Sequence, residues 1–161
     1  MKSSRQGKPF TIVVATDFSE TARRALDTAV SWASRLEARV SLLHVIKSAW
    51  PANELAAGAR TLKPLKTAAL LKLGRLARLA LEAGTRADAH LATGNPPERI
   101  LAHCRTHHVD LLVVGTQGRG GLSRTVLGSV TDELVRKASC PVLTLNPSVE
   151  RRYPVKGRGG R

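Results

Sequence analysis

Apolar and polar positions along this chain follow two rhythms in turn, one suited to buried strands and one to helices. Residues 10–16 are almost continuously apolar, the pattern of a strand covered on both faces. Asp17-Phe18-Ser19 ends that run, with Ser19 suited to cap a helix and Glu20 to its first turn. Ala22, Ala25, Leu26, Ala29, Val30, Ala33 and Leu36 then recur at helical spacing, with Trp32 expected to pack on the same helix. Residues 38–45 read as a second strand. Residues 46–63, which include Pro51 and Gly58, lose the rhythm and read as a loop with part of a helix. Residues 65–83 form a long Leu/Ala helix with Lys66, Lys72, Arg75 and Arg78 on a solvated face and Gly84 as its C-terminal cap. Residues 86–93 alternate Ala87, Ala89 and Leu91 with polar neighbours, a third strand. After the turn Gly94-Asn95-Pro96-Pro97 comes a helix carrying Ile100, Leu101 and Cys104, with Pro97 in its first turn. Residues 111–114 are a fourth strand, 123–137 a fourth helix and 141–145 a fifth strand.

Strands that alternate with helices imply right-handed parallel crossovers and a three-layer α/β/α sandwich around a five-stranded parallel sheet. Ligands of such sheets bind beyond the carboxyl ends of the strands, where the strand order reverses. Asp17, Val45 and Gly115 all end or follow strands on that edge, so the topology gathers them at one place.

Charge adds a rival partner and then weakens it. The formal net charge is +14 over 161 residues, with 26 basic against 12 acidic side chains. Eight of the basic residues lie in two segments without acids: Lys2, Arg5 and Lys8, and Arg151, Arg152, Lys156, Arg158 and Arg161. Three parts follow: a basic tail over 1–8, one domain over 9–147 and a Gly/Arg-rich tail over 148–161. Both tails are expected to be disordered. Such tails gain affinity for nucleic acid by counterion release, so nucleic-acid association through them is the alternative function. Tyr153 is their one stacking side chain, which argues against base-specific RNA reading. No run approaches the roughly 18 apolar residues of a membrane span, and the N-terminus lacks a signal-peptide pattern, so a cytoplasmic protein without membrane contact is expected. Cys104 and Cys140 have no metal or disulfide spacing and read as small buried residues.

The chemistry concentrates in Gly115-Thr116-Gln117-Gly118-Arg119-Gly120-Gly121, directly after the fourth strand, followed by Gly128-Ser129. Glycines at a strand-to-helix junction free backbone amides to converge on anionic oxygens. Arg119 can add a charge-assisted contact. Gly128, placed inside the expected fourth helix, costs about 1 kcal/mol against alanine and so points to close approach by backbone or ligand. Ser129 and Thr131 offer hydroxyls. The spacing matches neither the Walker loop nor the dinucleotide fingerprint. A plain strand-to-helix connection, with Gly128 as a packing contact, is the simpler alternative.

These residues carry a resemblance. The string DLLVVGTQGRGGLSRTVLGSVT over 110–131, with CPVL over 140–143, VVATDFS over 13–19, HV over 44–45 and GNP over 94–96, is similar to the universal stress protein family over about residues 9–146. The resemblance implies an adenine nucleotide alpha hydrolase-like, Rossmann-like fold and, because Gly-x2-Gly-x9-Gly-Ser is intact, the nucleotide-binding branch. By position, Asp17 and Val45 would meet the adenine and nearby ribose, with Ala15 and Thr16 as the adjacent floor. Gly115, Gly118 and Arg119 would line ribose and phosphates, and Gly128, Ser129, Val130 and Thr131 would hold the phosphates. The implied ligand is ATP, with or without Mg2+. Gln117 and the extra Gly120 depart from the family pattern at the loop rim. The resemblance also implies a homodimer formed through the last strand, residues 142–145, with a two-fold interface.

The implied role is a nucleotide-dependent stress-response regulator or sensor. Phosphoryl transfer needs metal ligands, a positioned nucleophile and charge stabilisation, whereas this site offers one acid, Asp17, at the other end of the nucleotide. No catalytic residue is assigned, and ATP hydrolysis is expected to be weak at most. His103 and His107 share a helix face, but no third ligand is evident beyond Asp110. They are expected to be exposed at a helix end, with no metal bound. His44 is expected to be a strand residue near the site.

Overall fold

The structure is a computed structural model that describes residues 8–48, 59–116 and 127–147. Residues 1–7 of the N-terminal basic tail, the whole C-terminal one, Trp50, Gln117, Gly118, Arg119, Gly120 and Gly121 lie outside the described residues. In chain order the elements are β1 (Thr11–Ala15), α1 (Glu20–Leu36), β2 (Arg39–Lys47), α2 (Ala59–Glu82), β3 (Arg86–Gly94), α3 (Pro96–Thr106), β4 (Leu111–Gly115), α4 (Ser129–Lys137) and β5 (Val142–Leu145). The strands form one parallel sheet in the order β3-β2-β1-β4-β5. The expected five-stranded α/β/α sandwich is what the chain forms. The strand order reverses between β1 and β4.

Two apolar layers hold the sheet. Ile12, Val14, Val40, Leu42 and Val113 pack with Ala25, Leu26, Ala29 and Ala33 of α1 and Leu73 and Ala80 of α2. Val13, Leu43, Leu112 and Val114 pack with Ile100, Leu101 and Cys104 of α3 and Leu134 of α4. The central strands alternate between the two layers with period two, so both faces are dry and the strand sequences run continuously apolar.

Local chemistry sets most boundaries. The Ser19 hydroxyl accepts from the Ala22 amide at 3.2 Å and caps α1 as expected. Asn95 caps α3 through the Glu98 amide, with proline in the first turn. Gly84 takes φ +85 after α2.

Four expectations change. Helix α2 begins at Ala59 and runs through Pro64; burial of Leu62 against Ile46 and Ala69 anchors the early turns where local signals read as loop. Trp32 is 37% exposed, because the buried stripe of α1 runs through Ala22, Ala25, Leu26, Ala29, Val30 and Ala33 and leaves position 32 outside it. Cys104 is buried as expected, whereas Cys140 is only partly so. Helix α4 starts at Ser129, and Gly128 is its N-cap with φ −59 and ψ 147. Gly128 therefore carries no helix-interior penalty, and glycine is an acceptable residue at that cap.

Candidate nucleotide-binding site

The register aligns the carboxyl ends of the three strands that meet at the reversal. Ala15 pairs with Leu43 of β2 and Val114 of β4, and Gly115 pairs with Leu145 of β5. One residue beyond β1, the Thr16 amide donates to the Leu43 carbonyl at 2.9 Å. The Thr16 carbonyl lies 2.6 Å from His44 Nδ1. A carbonyl only accepts, so this contact places the imidazole proton on Nδ1. The Thr16 hydroxyl accepts from the Phe18 amide at 3.0 Å, and Asp17 Oδ1 accepts from the Ser19 amide at 3.0 Å. These bonds hold the β1–α1 turn in shape. Phe18 sits in the left-handed region, φ 65, with its ring 4.3 Å from that of His44. Positive φ in a bulky residue is strained backbone, and sequence spacing carries no sign of it.

On the other side of the reversal, the glycine loop leaves β4 and returns through a narrow neck. The Gly128 amide donates to the Thr116 carbonyl at 2.9 Å, and the Thr116 amide donates to the Leu145 carbonyl at 2.8 Å. A Cβ at Gly128 would stand 3.3 Å from the Thr116 carbonyl oxygen. A Cβ at Gly115 would stand 2.9 Å from Thr21 Cγ2 and 3.3 Å from the Thr21 backbone. Gly115 thus lets the first turn of α1 close onto the end of β4. The Thr131 hydroxyl, buried, donates to the Gly115 carbonyl at 2.8 Å. That bond ties α4 to β4 and commits the hydroxyl expected to meet a ligand.

The neck leaves the N-terminus of α4 at the sheet edge with no side-chain cap. The first amides of a helix have no intrahelical acceptor, and the helix dipole favours an anion there. Ser129 is exposed at this end. Asp132 in the same turn is ion-paired with Arg136, which offsets its repulsion of an anion. Ala15, Val45 and Val130 pack against the α3/α4 layer. The structure therefore brings Ala15, Thr16, Asp17, Val45, Gly115, Gly128, Ser129, Val130 and Thr131 to one edge; Gly118 and Arg119 lie outside the described residues. A separate cleft of about 430 Å³ lies on the α1/α2 side, lined by Phe18, Arg23, Lys72, Arg75, Leu76 and Leu79 among others. Among the described residues it shares only Thr16 with the expected site.

Residues 10–146 match the Universal stress protein family. The chain belongs to the universal stress protein family. One similar member is Universal stress protein YxiE of Bacillus subtilis strain 168, 33% identical over 141 residues that cover 82% of this chain and 95% of that protein. Universal stress protein UspA from Lactobacillus plantarum has the same fold, with a TM-score of 0.75 at 23% identity over 86% of this chain and 99% of that one. A family protein from Arabidopsis thaliana, solved with AMP bound, superposes with a TM-score of 0.60 at 25% identity over 84% of this chain and 90% of that one. The glycine spacing and the geometry converge on the neck: its two glycines, Gly115 and Gly128, are the positions where a side chain would meet Thr21 or Thr116.

His107 is exposed as expected, but His103 is not. His103 is half-buried and its ring touches those of His107 and of His90 on β3, at centroid distances of 4.0 and 4.9 Å. Burial first, then the neighbouring His107 and His90, lower its pKa to about 4. No local spacing points to His90, because only the fold sets β3 beside α3. Burial and the neighbouring Cys140 push the Cys104 thiol up to about 12. Among the described residues, no helix is long and apolar enough to cross a membrane.

Proposed function

We propose that this universal stress protein binds an adenine nucleotide at the β1/β4 reversal and acts as a nucleotide-dependent regulator in the stress response. The observation that carries this reading is the uncapped N-terminus of α4, held by the Gly128–Thr116 hydrogen bond at the sheet edge that also carries Asp17 and Val45. The AMP bound by the Arabidopsis thaliana relative supports an adenine nucleotide as the ligand class. The phosphates would meet the Ser129, Val130 and Thr131 amides and the Ser129 hydroxyl. Thr131 would contribute its amide rather than its hydroxyl, which is engaged by Gly115. The base and ribose would lie toward Val45 and Asp17, over Ala15 and Thr16, with Gly118 and Arg119 completing the loop side.

ATP, with or without Mg2+, is the proposed physiological ligand. The reading assigns no catalytic residue and at most weak ATP hydrolysis: Asp17, which accepts from the Ser19 amide, would lie toward the base rather than the phosphates. The proposed working unit is a cytoplasmic homodimer paired through β5, which the strand order leaves at a sheet edge. The test is to denature freshly purified protein, identify released nucleotide by chromatography, and titrate the apo protein calorimetrically with AMP, ADP and ATP. Saturable binding weakened by Ser129→Ala is expected. Absence of both released nucleotide and binding would refute the reading.

A further inference from the structure

The cleft on the α1/α2 side of the sheet takes no part in the nucleotide reading and has a chemistry of its own. Its volume of about 430 Å³ falls within the range of small-molecule sites, about 300–1,000 Å³. Helix α2 supplies Lys72, Arg75, Leu76 and Leu79, whose three- and four-residue spacing sets them on one helix face. The β1–α1 turn supplies Phe18, and the start of α1 supplies Arg23. Phe18 and Leu76 pack against the core layer that contains Leu26 and Leu73, so the apolar wall stands on rigid elements.

Phe18 is held here at a cost. Its φ of 65 lies in the left-handed region, which bulky residues avoid. The Thr16 hydroxyl fixes the turn by accepting the Phe18 amide at 3.0 Å. Strained backbone of this kind concentrates at ligand sites. Lys72 Nζ stands 5.4 Å from the centroid of the Phe18 ring, within cation–π reach, so the ring face positions an ammonium at the cleft.

The charge balance decides what the cleft would hold. Its lining includes three cations, Arg23, Lys72 and Arg75, against one carboxylate, Glu20. Arg23 is matched by Asp27 at 3.2 Å, and Glu20 pairs with Arg24 at 3.7 Å. Glu82, the one acid of α2, pairs with Arg78 at 2.8 Å. Among the described residues Lys72 and Arg75 have no ion pair. A wholly polar anion would leave Phe18, Leu76 and Leu79 facing water, and a neutral apolar molecule would leave the two cations unmatched. The guanidinium of Arg75 also has the planar fork that suits a carboxylate.

We propose that this cleft binds a small amphipathic organic anion of the aromatic or short acyl carboxylate class, with its acid group on Lys72 and Arg75 and its apolar body against Phe18, Leu76 and Leu79. The site is separate from the nucleotide edge and does not depend on it.

The test titrates the full chain, with and without AMP, with anilinonaphthalene sulfonate, an amphipathic anion whose emission rises in apolar surroundings. One saturable probe site per chain is expected, unaffected by AMP and displaced by octanoate but not by octanol. Lys72→Gln and Arg75→Gln should each weaken probe binding about tenfold. Arg78→Gln, on the same helix but outside the cleft, should bind as the parent does. All three positions are exposed, so the variants should melt as the parent does. The proposal is overturned if the parent shows no saturable binding, if the Lys72→Gln/Arg75→Gln double variant binds undiminished, or if octanol competes as well as octanoate. Displacement of the probe by AMP also overturns it, because the probe would then occupy the nucleotide edge. AMP binding by the variants should equal the parent's, so failure of this cleft is told apart from failure of the nucleotide site.

Discussion

The carboxyl edge at Gly115–Gly128 and the histidine triangle at β3/α3 are both polar clusters, yet they are built from different parts of the chain. The first uses backbone: a neck closed by amide–carbonyl bonds, two positions where a Cβ would be crowded, and a helix end without a side-chain cap. The second uses side chains: three imidazoles and a carboxylate on elements whose backbone bonds are otherwise ordinary. A backbone site is woven into the fold and should be costly to disturb. A side-chain cluster rests on the fold and should be removable.

The largest test of that contrast is Leu134→Ala. Leu134 is 1% exposed and anchors α4 to the α3/α4 layer. Loss of about 2–5 kcal/mol in denaturant unfolding is expected, accompanied by weaker nucleotide binding because the helix end is no longer held. Unchanged stability would show that α4 is positioned by something other than the core. Next comes Gly115→Ala, whose methyl would press on Thr21; a cost of about 1–3 kcal/mol is expected. Thr21→Ser removes the Cγ2 contact, so the double variant should recover part of that loss. No recovery in the double-mutant cycle would break the close-approach argument. Thr131→Val keeps shape and burial but strands the Gly115 carbonyl, with an expected loss of about 1–2 kcal/mol.

A pH test turns on Cys104, which faces the core beside His103. Its folded pKa is raised to about 12 from 9.0, so the folded state holds the proton more tightly. Stability from this source is intact below pH 9 and falls as pH rises from 9 toward 12. Cys104→Ala should flatten the alkaline limb of the stability profile, and the native thiol should resist alkylation at pH 8. Rapid native alkylation of Cys104 would contradict its burial. The smallest effect belongs to the triangle. His90 is 42% exposed, so His90→Ala should change stability by no more than about 0.5 kcal/mol. A loss of several kcal/mol would mean that the triangle is part of the frame after all.

The same division explains what could be read from the chain. Hydrophobic rhythm revealed all nine elements of the described residues, since burial of both sheet faces imposes it directly. Boundaries slipped where tertiary contact overrode a local signal: Leu62 buries against Ile46 and Ala69 and carries α2 back past Pro64, and Trp32 falls off the buried stripe of α1. Gly115 and Gly128 stood out because a missing Cβ is itself a sequence signal. Their reason did not, since Thr21 and the Thr116 carbonyl approach only in the folded chain. The Thr131 hydroxyl looked free for a ligand because nothing local reveals its bond to Gly115.

By itself, then, the sequence determined the alternation of strands and helices, the glycine spacing and the family those patterns mark, because propensity, period and backbone freedom are local properties. Tertiary structure alone decided which glycines are crowded, where Thr131 spends its proton, and that His90 meets His103 and His107. Those are contacts between segments brought together by the sheet order β3-β2-β1-β4-β5, and separation along the chain does not encode distance in space.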